Sequence, residues 1–457
     1  MAKWILKQVQ DDGGLNYSDL QDNNTVPLGE GCLHDQNHAP QHLPTPKQFV
    51  AVISGNALEF YDFLSFSFFA VNVSRVMFPA GAPGSALLLT LMTAGAGFGA
   101  RPLGAVLFGL LGDRIGRRPT MLATFALMGV SALGLALTPS YAAIGVWAPV
   151  LVVVFRLLQG LAAGGDVGPT TAFLAESSPP EKRGMLIALQ LVAMRIGVLA
   201  SGTVGLVLAS VLSPAQLDAY GWRIAFAIGA GIVPLAFILR RRLDETLHLP
   251  EVGPNVVIEL DVRAYAAALL GVCGFLLAGA TGDFLFVYAV TFLKIPVTNG
   301  YVLQMAAAAT QIAGLLGGGW LGDRIGRQKV NFAAALLAAV VSLPLFRWGI
   351  AGGTLGQLAL AAALLLLMAT VSAAVSYAAL VEITPKRHRA GLVGIGYGVV
   401  VALTFGFTPV LLTRYMARTG DLAAPGYAFV VAGVLLMISS VLLGKRNAST
   451  LGKGAKR

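Results

Sequence analysis

Charge is what this chain has least of. Asp, Glu, Lys and Arg make up 12% of the residues and hydrophobic types 56%, whereas a soluble domain carries about 25% charged residues. That scarcity excludes a water-soluble globule and puts most of the chain in lipid. Cysteine is also nearly missing. Cys32 and Cys273 give neither a disulfide framework nor a metal-ligand pattern. The opening residues MAKWILKQVQDDGG lack a sustained apolar core before their acids, so no secretory signal is expected. The polar segments hold no nucleophile–base pair, phosphate-binding loop or metal motif. An enzyme is therefore not expected, and neither is a cofactor. The net charge of +10 does not mark a nucleic-acid binder, because the basic residues are dispersed over short turns and form no single patch.

Long apolar runs are abundant. They fall at about 47–71, 85–111, 120–138, 142–176, 185–212, 223–241, 264–292, 298–320, 329–350, 355–382, 391–416 and 424–444. Each has the roughly 20 residues that a spanning helix needs. The expected fold is an all-α integral membrane protein of twelve transmembrane helices in two six-helix pseudo-symmetric halves. Residues 1–46 read as a disordered tail, 47–241 as the first half, 242–263 as a central linker, 264–444 as the second half, and 445–457 as a tail. In the first tail, His34, His38 and His42 stand four apart with Cys32 near. On a helix they could hold a metal. Pro40 and Pro44 break that helix, so the unstructured reading is preferred and no metal is expected.

Two echoes support the halves. The turn Gly112-Asp113-Arg114-Ile115-Gly116-Arg117 returns as Gly322-Asp323-Arg324-Ile325-Gly326-Arg327. The acid Glu176, ahead of Pro179, Pro180 and Arg183, returns as Glu382, ahead of Pro385 and Arg389. Such repetition is the mark of a duplicated unit. Small residues spaced by four precede the first turn, as in Gly95/Gly99, Ala100/Gly104 and Ala105/Gly109. They let helix backbones approach closely. Of the 32 basic residues, 23 fall on the side of the two termini, 6 on the other side, and Arg101, Arg156 and Arg195 inside apolar runs. The asymmetry predicts both termini in the cytoplasm.

These residues resemble the major facilitator superfamily, whose best-known motif is the Gly-Asp-Arg-x-Gly-Arg-Arg turn. Within it, Gly55-Asn56-Ala57-Leu58-Glu59-Phe60-Tyr61-Asp62-Phe63, Arg101-Pro102-Leu103-Gly104 and Arg156-Leu157-Leu158-Gln159-Gly160 look like the metabolite–proton symporters. Phe405-Gly406-Phe407-Thr408-Pro409, Thr419-Gly420-Asp421 and Pro425-Gly426 are similar to their citrate–proton branch. The resemblance implies proton-coupled uptake of a small organic anion by alternating access, in a bacterial inner membrane. A zwitterion such as proline or betaine, or shikimate, is the alternative cargo. A non-transporting sensor is a further alternative. The bilayer, the anion and protons are the expected partners, nucleic acid is not, and a monomer is expected. Asp166 stands where family members usually carry Glu, and Arg195 and Asp283 where a citrate carrier would be uncharged.

An ionisable side chain at mid-bilayer costs ~2.5–3.5 kcal/mol even on the lenient insertion scale, so each needs a partner, water or a task. Glu59 and Asp62 share a face with Asn56 on the first span. They read as the proton-coupling pair or as a structural hydrogen-bond pair. Asp166 and Asp283 are further proton candidates. Arg156, with Gln159, offers a fork for a carboxylate or an internal salt bridge. Arg195 reads as a substrate contact, with Asp283 either a second proton site or its counter-charge. Tyr288, Gln304, Tyr377 and Tyr397 are further substrate candidates. Gln311, Ser372, Ser376 and Thr408 are equally consistent with helix–helix hydrogen bonds. Pro409 suggests a bend. Arg101, before Pro102, reads as structural. A gate is expected from Asp113, Arg117, Arg118, Glu176, Arg183, Asp323, Arg327, Glu382 and Arg389, although the positive-inside rule alone also accounts for the basic turns.

Overall fold

A computed structural model describes residues 46–79, 85–176, 183–240, 260–385 and 388–454. The His34/His38/His42 cluster and Cys32 lie outside the described residues, as does most of the linker. Twelve long helices follow in order. They are α1 (Pro46–Phe68), α2 (Ser85–Arg114), α3 (Arg117–Leu137), α4 (Trp147–Glu176), α5 (Arg183–Val211) and α6 (Trp222–Arg240). After the linker come α7 (Val262–Thr291), α8 (Val297–Ile325), α9 (Arg327–Ala351), α10 (Leu355–Ile383), α11 (Arg389–Thr419) and α12 (Ala424–Gly454). Ten of them hold, over their described residues, a stretch long and apolar enough to cross a membrane. Helix α12 runs past the expected end of its span, because no proline interrupts it before Gly454. Helix α7 starts where Asp261 accepts the backbone N–H of Ala264, inside the expected linker.

The two halves repeat one packing plan. Helix α2 packs on α4 as α8 packs on α10. Helix α3 meets α6 as α9 meets α12. Two seams join the halves, α2 against α11 and α5 against α8. The repeated turn makes both α2–α3 and α8–α9 corners. Its second glycine, Gly116 or Gly326, adopts φ of 108° or 98°, a conformation that other residues rarely take. We call the face bearing these turns the basic face.

Glycines set the spacing of α2 against α4. A side-chain carbon on Gly104 would run into the Leu161 backbone, one on Gly160 into Gly97, and one on Gly164 into the Arg101 carbonyl. Gly109 meets Gly391 across the first seam. Gly99 faces open space, so the Gly95/Gly99 pair is not a packing contact with α4. Overpacking a close contact costs about 1–3 kcal/mol. Gly164→Leu is therefore expected to lower the thermal midpoint of the purified protein, with Gly99→Ala close to neutral. Fluorescence-detected unfolding checks this, and equal midpoints would contradict the close approach.

Candidate functional site

All three arginines inside the apolar runs are buried. Helix α1 keeps their like charges apart with phenylalanines three residues apart. The Arg101 guanidinium lies 4.3 Å from the Phe63 ring centre and 4.9 Å from that of Phe98. Arg156 lies 4.4 Å from Phe63 and 4.3 Å from Phe66. Arg195 lies 5.2 Å from Phe60. An aromatic face attracts a cation most where water is excluded. Phe60, Phe63 and Phe66 were not singled out in the sequence. Their helical spacing beside Glu59 and Asp62 was the available signal.

Each arginine also has an acid. Arg101 Nη1 stands 2.9 Å from Glu59 Oε1, so Arg101 serves the α1 carboxylate rather than the helix end above the turn. Arg156 donates to Gln159 Oε1 at 2.8 Å and is the positive charge acting on Asp62. Among the described residues, no donor bonds to either Asp62 oxygen. Arg195 Nη1 is 3.3 Å from both Asp283 oxygens and 3.1 Å from Gln311 Oε1. Gln304 Nε2 donates to Asp283 Oδ1 at 3.0 Å. Asp283 is thus the counter-charge to Arg195 in this arrangement.

A small cavity of about 30 Å³ lies on the α5–α8 side of the centre, lined among others by Arg195, Gln311, Thr370 and Tyr397. A cavity of about 120 Å³ lies toward the face opposite the basic one, lined among others by Ser67, Phe98, Asp283, Phe405 and Pro409. Arg195 thus faces one cavity and Asp283 the other. Tyr397 lies within electrostatic reach of Arg101, Glu59 and Arg195, and its ring packs 5.5 Å from Tyr377. Tyr377 and Thr171 share a 2.9 Å hydrogen bond across the halves, and Thr171 is 3.0 Å from Gln190. Thr171 and Gln190 were missed in the sequence, since neither is charged. A larger cavity, about 410 Å³, lies near Arg327, Asn331, Ser376 and Glu382. Its lining comes wholly from the second half, so rocking the halves would not switch its access.

Some expected residues lie elsewhere. Tyr288 donates to the Leu422 carbonyl at 2.9 Å and packs on Phe292 and Phe346. Its polar tip is taken by the α11–α12 connection. Asp166 faces α3, where Thr124 donates to it at 3.4 Å. Ser372 donates to the Asn331 carbonyl at 3.4 Å, a bond between α10 and α9.

The basic face is closed. Asp113 accepts the N–H groups of Ala390 at 3.3 Å and Gly391 at 2.7 Å, capping α11 of the other half. Arg117 donates to Asp113 and, at 3.3 Å, to Glu176. Arg389 stands 3.7 Å from the same Glu176 oxygen. The second copy repeats the ion pairs, within the second half. Arg327 donates to Glu382 at 2.5 Å and to Asp323 at 3.4 Å. Side-chain carbons on Gly391 and Gly184 would both stand 2.9 Å from the facing aspartate oxygen. The copies differ in exposure. Arg117 is fully buried, while the side chains of Arg327, Asp323 and Glu382 are 27%, 24% and 34% exposed. Arg118 is half-buried beside the first copy. The side chain of Arg183 lies outside the described residues.

Residues 47–249 match the sugar (and other) transporter family. The chain is 33% identical over 413 residues to the citrate-proton symporter of Klebsiella pneumoniae, covering 88% of this chain and 92% of that one. It is 30% identical over 423 residues to the alpha-ketoglutarate permease of Escherichia coli K12, covering 89% and 94%. Among solved structures, the proton:xylose symporter XylE bound to 6-bromo-6-deoxy-D-glucose superposes with a TM-score of 0.72. The two share 15% identity over 87% of this chain and 95% of that one, a likeness of fold.

Removing one partner of a buried ion pair costs about 3–5 kcal/mol, because it strands the other charge. Arg101→Gln is expected to destabilise the protein by that order. Adding Glu59→Gln to the same chain is expected to restore more than half of the loss. Thermal midpoints in one detergent give the comparison, and a double variant no better than the single one would contradict the pairing.

Proposed function

Because this chain belongs to the major facilitator superfamily, among its metabolite–proton symporters, we propose that its cargo is a small organic anion of the citrate-like di- or tricarboxylate kind. The observation that carries this reading is Arg195, a buried guanidinium lining the small cavity where the two halves meet. A guanidinium offers a planar fork that fits a carboxylate. Arg156 supplies a second positive charge one helix away. Glu59 and Asp62 are the proton carriers next to these arginines. The membrane potential is worth ~2.3 kcal/mol per charge per 100 mV, so an anion enters against it only with enough protons moving along. The basic face is cytoplasmic in this reading, by the positive-inside rule, and the membrane is a bacterial inner membrane. The 47–241 half then rocks against the 264–444 half around the midplane site. Asp113, Arg117, Glu176 and Arg389, with Asp323, Arg327 and Glu382, form the gate that parts when the site opens inward. A second reading has a zwitterion as cargo. It is favoured by the adjacency of Arg195 and Asp283, one cation and one anion that together complement a carboxylate and an ammonium.

Uptake into proteoliposomes under an imposed pH gradient tests the first reading against the second. The panel is citrate, tricarballylate, a dicarboxylate, shikimate, proline and betaine. A carboxylate anion is expected to accumulate. Loss of one hydrogen bond to a charged group is worth ~1.5–3 kcal/mol, so Arg195→Gln should reduce uptake by roughly 10- to 100-fold. Glu59→Gln and Asp62→Asn should retain counterflow and lose gradient-driven accumulation. Uptake of proline with no carboxylate would overturn the choice of cargo, and unchanged coupling in both acid variants would remove them as the proton site.

A further inference from the structure

One buried ion pair differs in kind from the others. Glu59 pairs with Arg101 on α1 and α2 of the same half, and Asp62 and Arg156, on α1 and α4 of that half, attract each other only electrostatically. Arg195 and Asp283 lie on α5 and α7, in different halves. Motion of one half against the other therefore parts them. Both are more than nine-tenths buried, and a parted buried pair leaves two uncompensated charges in low dielectric. Each has to be neutralised before the halves can move.

The surroundings hold a vacant hydrogen-bonding group for each neutralised form. Beside Arg195, Gln311 gives its Oε1 to the guanidinium, while its Nε2 is buried with no acceptor among the described residues. That amide is a spare donor where an incoming carboxylate would replace Asp283. Beside Asp283, Gln304 donates its Nε2, while its Oε1 is buried with no donor among the described residues. That oxygen is a spare acceptor for the O–H of a protonated carboxyl. Access is divided in the same way. Asp283 lines the 120 Å³ cavity on the side opposite the basic face, and Arg195 lines the separate 30 Å³ one.

We infer that the Arg195–Asp283 pair ties one proton to one substrate carboxylate, because it parts only when a carboxylate takes the place of Asp283 on Arg195 and a proton neutralises Asp283. The inference rests on the proposed reading that the cargo carries a carboxylate. In the step, an O–H bond forms on Asp283 from a proton in the outer cavity. The hydrogen bonds from Arg195 Nη1 to Asp283 pass to the substrate. One negative and one positive charge enter together, so the net charge of the site is unchanged. The charged and polar groups facing Asp283 are Arg195 from α5, Gln304 from α8, and Thr413 and Arg414 of α11 around the outer cavity. From α1 come Ser67 in the same cavity and, beyond the Phe60 ring, the Glu59–Arg101 pair.

The test is a stoichiometry measurement. The unmodified protein and Asp283→Asn are reconstituted, and protons moved per substrate are read from the potential at which net flux reverses. The substrate is whichever carboxylate the unmodified protein takes up. Asp283→Asn is expected to keep counterflow and to move one proton fewer per substrate. The half-saturating concentration of the unmodified protein should rise with external pH, and that rise should be smaller in the variant. An unchanged stoichiometry overturns the inference and leaves the proposed function standing. No carboxylate counterflow by the unmodified protein overturns the proposed function itself. If Asp283→Asn does not fold, proton uptake is measured on adding substrate to purified protein carrying Glu59→Gln and Asp62→Asn together, in weak buffer. About one proton per bound substrate supports the inference, and none overturns it.

Discussion

The rest of the structure depends on a solvation constraint. A charge in the hydrocarbon region has no water to lean on, so it persists only beside an opposite charge, an aromatic face or a hydrogen bond. This chain carries three arginines there, and the fold is arranged to satisfy each of them. Glu59 answers Arg101, Asp283 answers Arg195, and Arg156 has Gln159 as its bond and Asp62 as its counter-charge. Phenylalanines on α1 fill the space between the guanidinium groups. The cluster is neutral in sum but locally polar, which suits a site that must hold an anion without being permanently charged.

That constraint also explains how much was legible in advance. Twelve helices follow from the apolar runs, because length and composition alone decide what spans a bilayer. The duplicated turn and the paired acids Glu176 and Glu382 foretold two halves, and the structure repeats one packing plan in each. Buried charges were easy to single out because they are rare in such a chain. Which acid serves which arginine was not readable. Pairing depends on helix rotation and crossing, and residues from α1, α2, α5, α7 and α8 meet only after packing. Arg101 shows the gap. Its place before Pro102 suggested an anchor for the helix end, while the fold turns it to Glu59. Tyr288 shows it too, since its hydroxyl is taken by the Leu422 carbonyl in a connection that no helical pattern describes.

Neutral residues were the hardest to foresee. Thr171 and Gln190 connect α4, α5 and Tyr377 of α10. A threonine or glutamine in an apolar run carries little signal by itself, because most such residues bond within or between helices without further purpose. The glycines of α2 and α4 are a middle case. Their spacing announced a close approach, but only the packing shows that Gly104, Gly160 and Gly164 lie in the contact and Gly99 outside it.

The unequal exposure of the two repeated turns has a consequence for how the molecule yields. Dissolved ions weaken attraction between charges they can surround, within a Debye length of about 8 Å at physiological ionic strength, and leave enclosed pairs largely untouched. The Arg327–Glu382 contact stands in reach of those ions, and the Arg117–Asp113–Glu176 group does not. The two corners therefore respond differently to the solution bathing that face. The ion pairs of the second copy loosen as salt rises, while those of the first hold. A duplicated fold whose halves look alike thus carries one corner that yields to dissolved ions and one that is sealed against them.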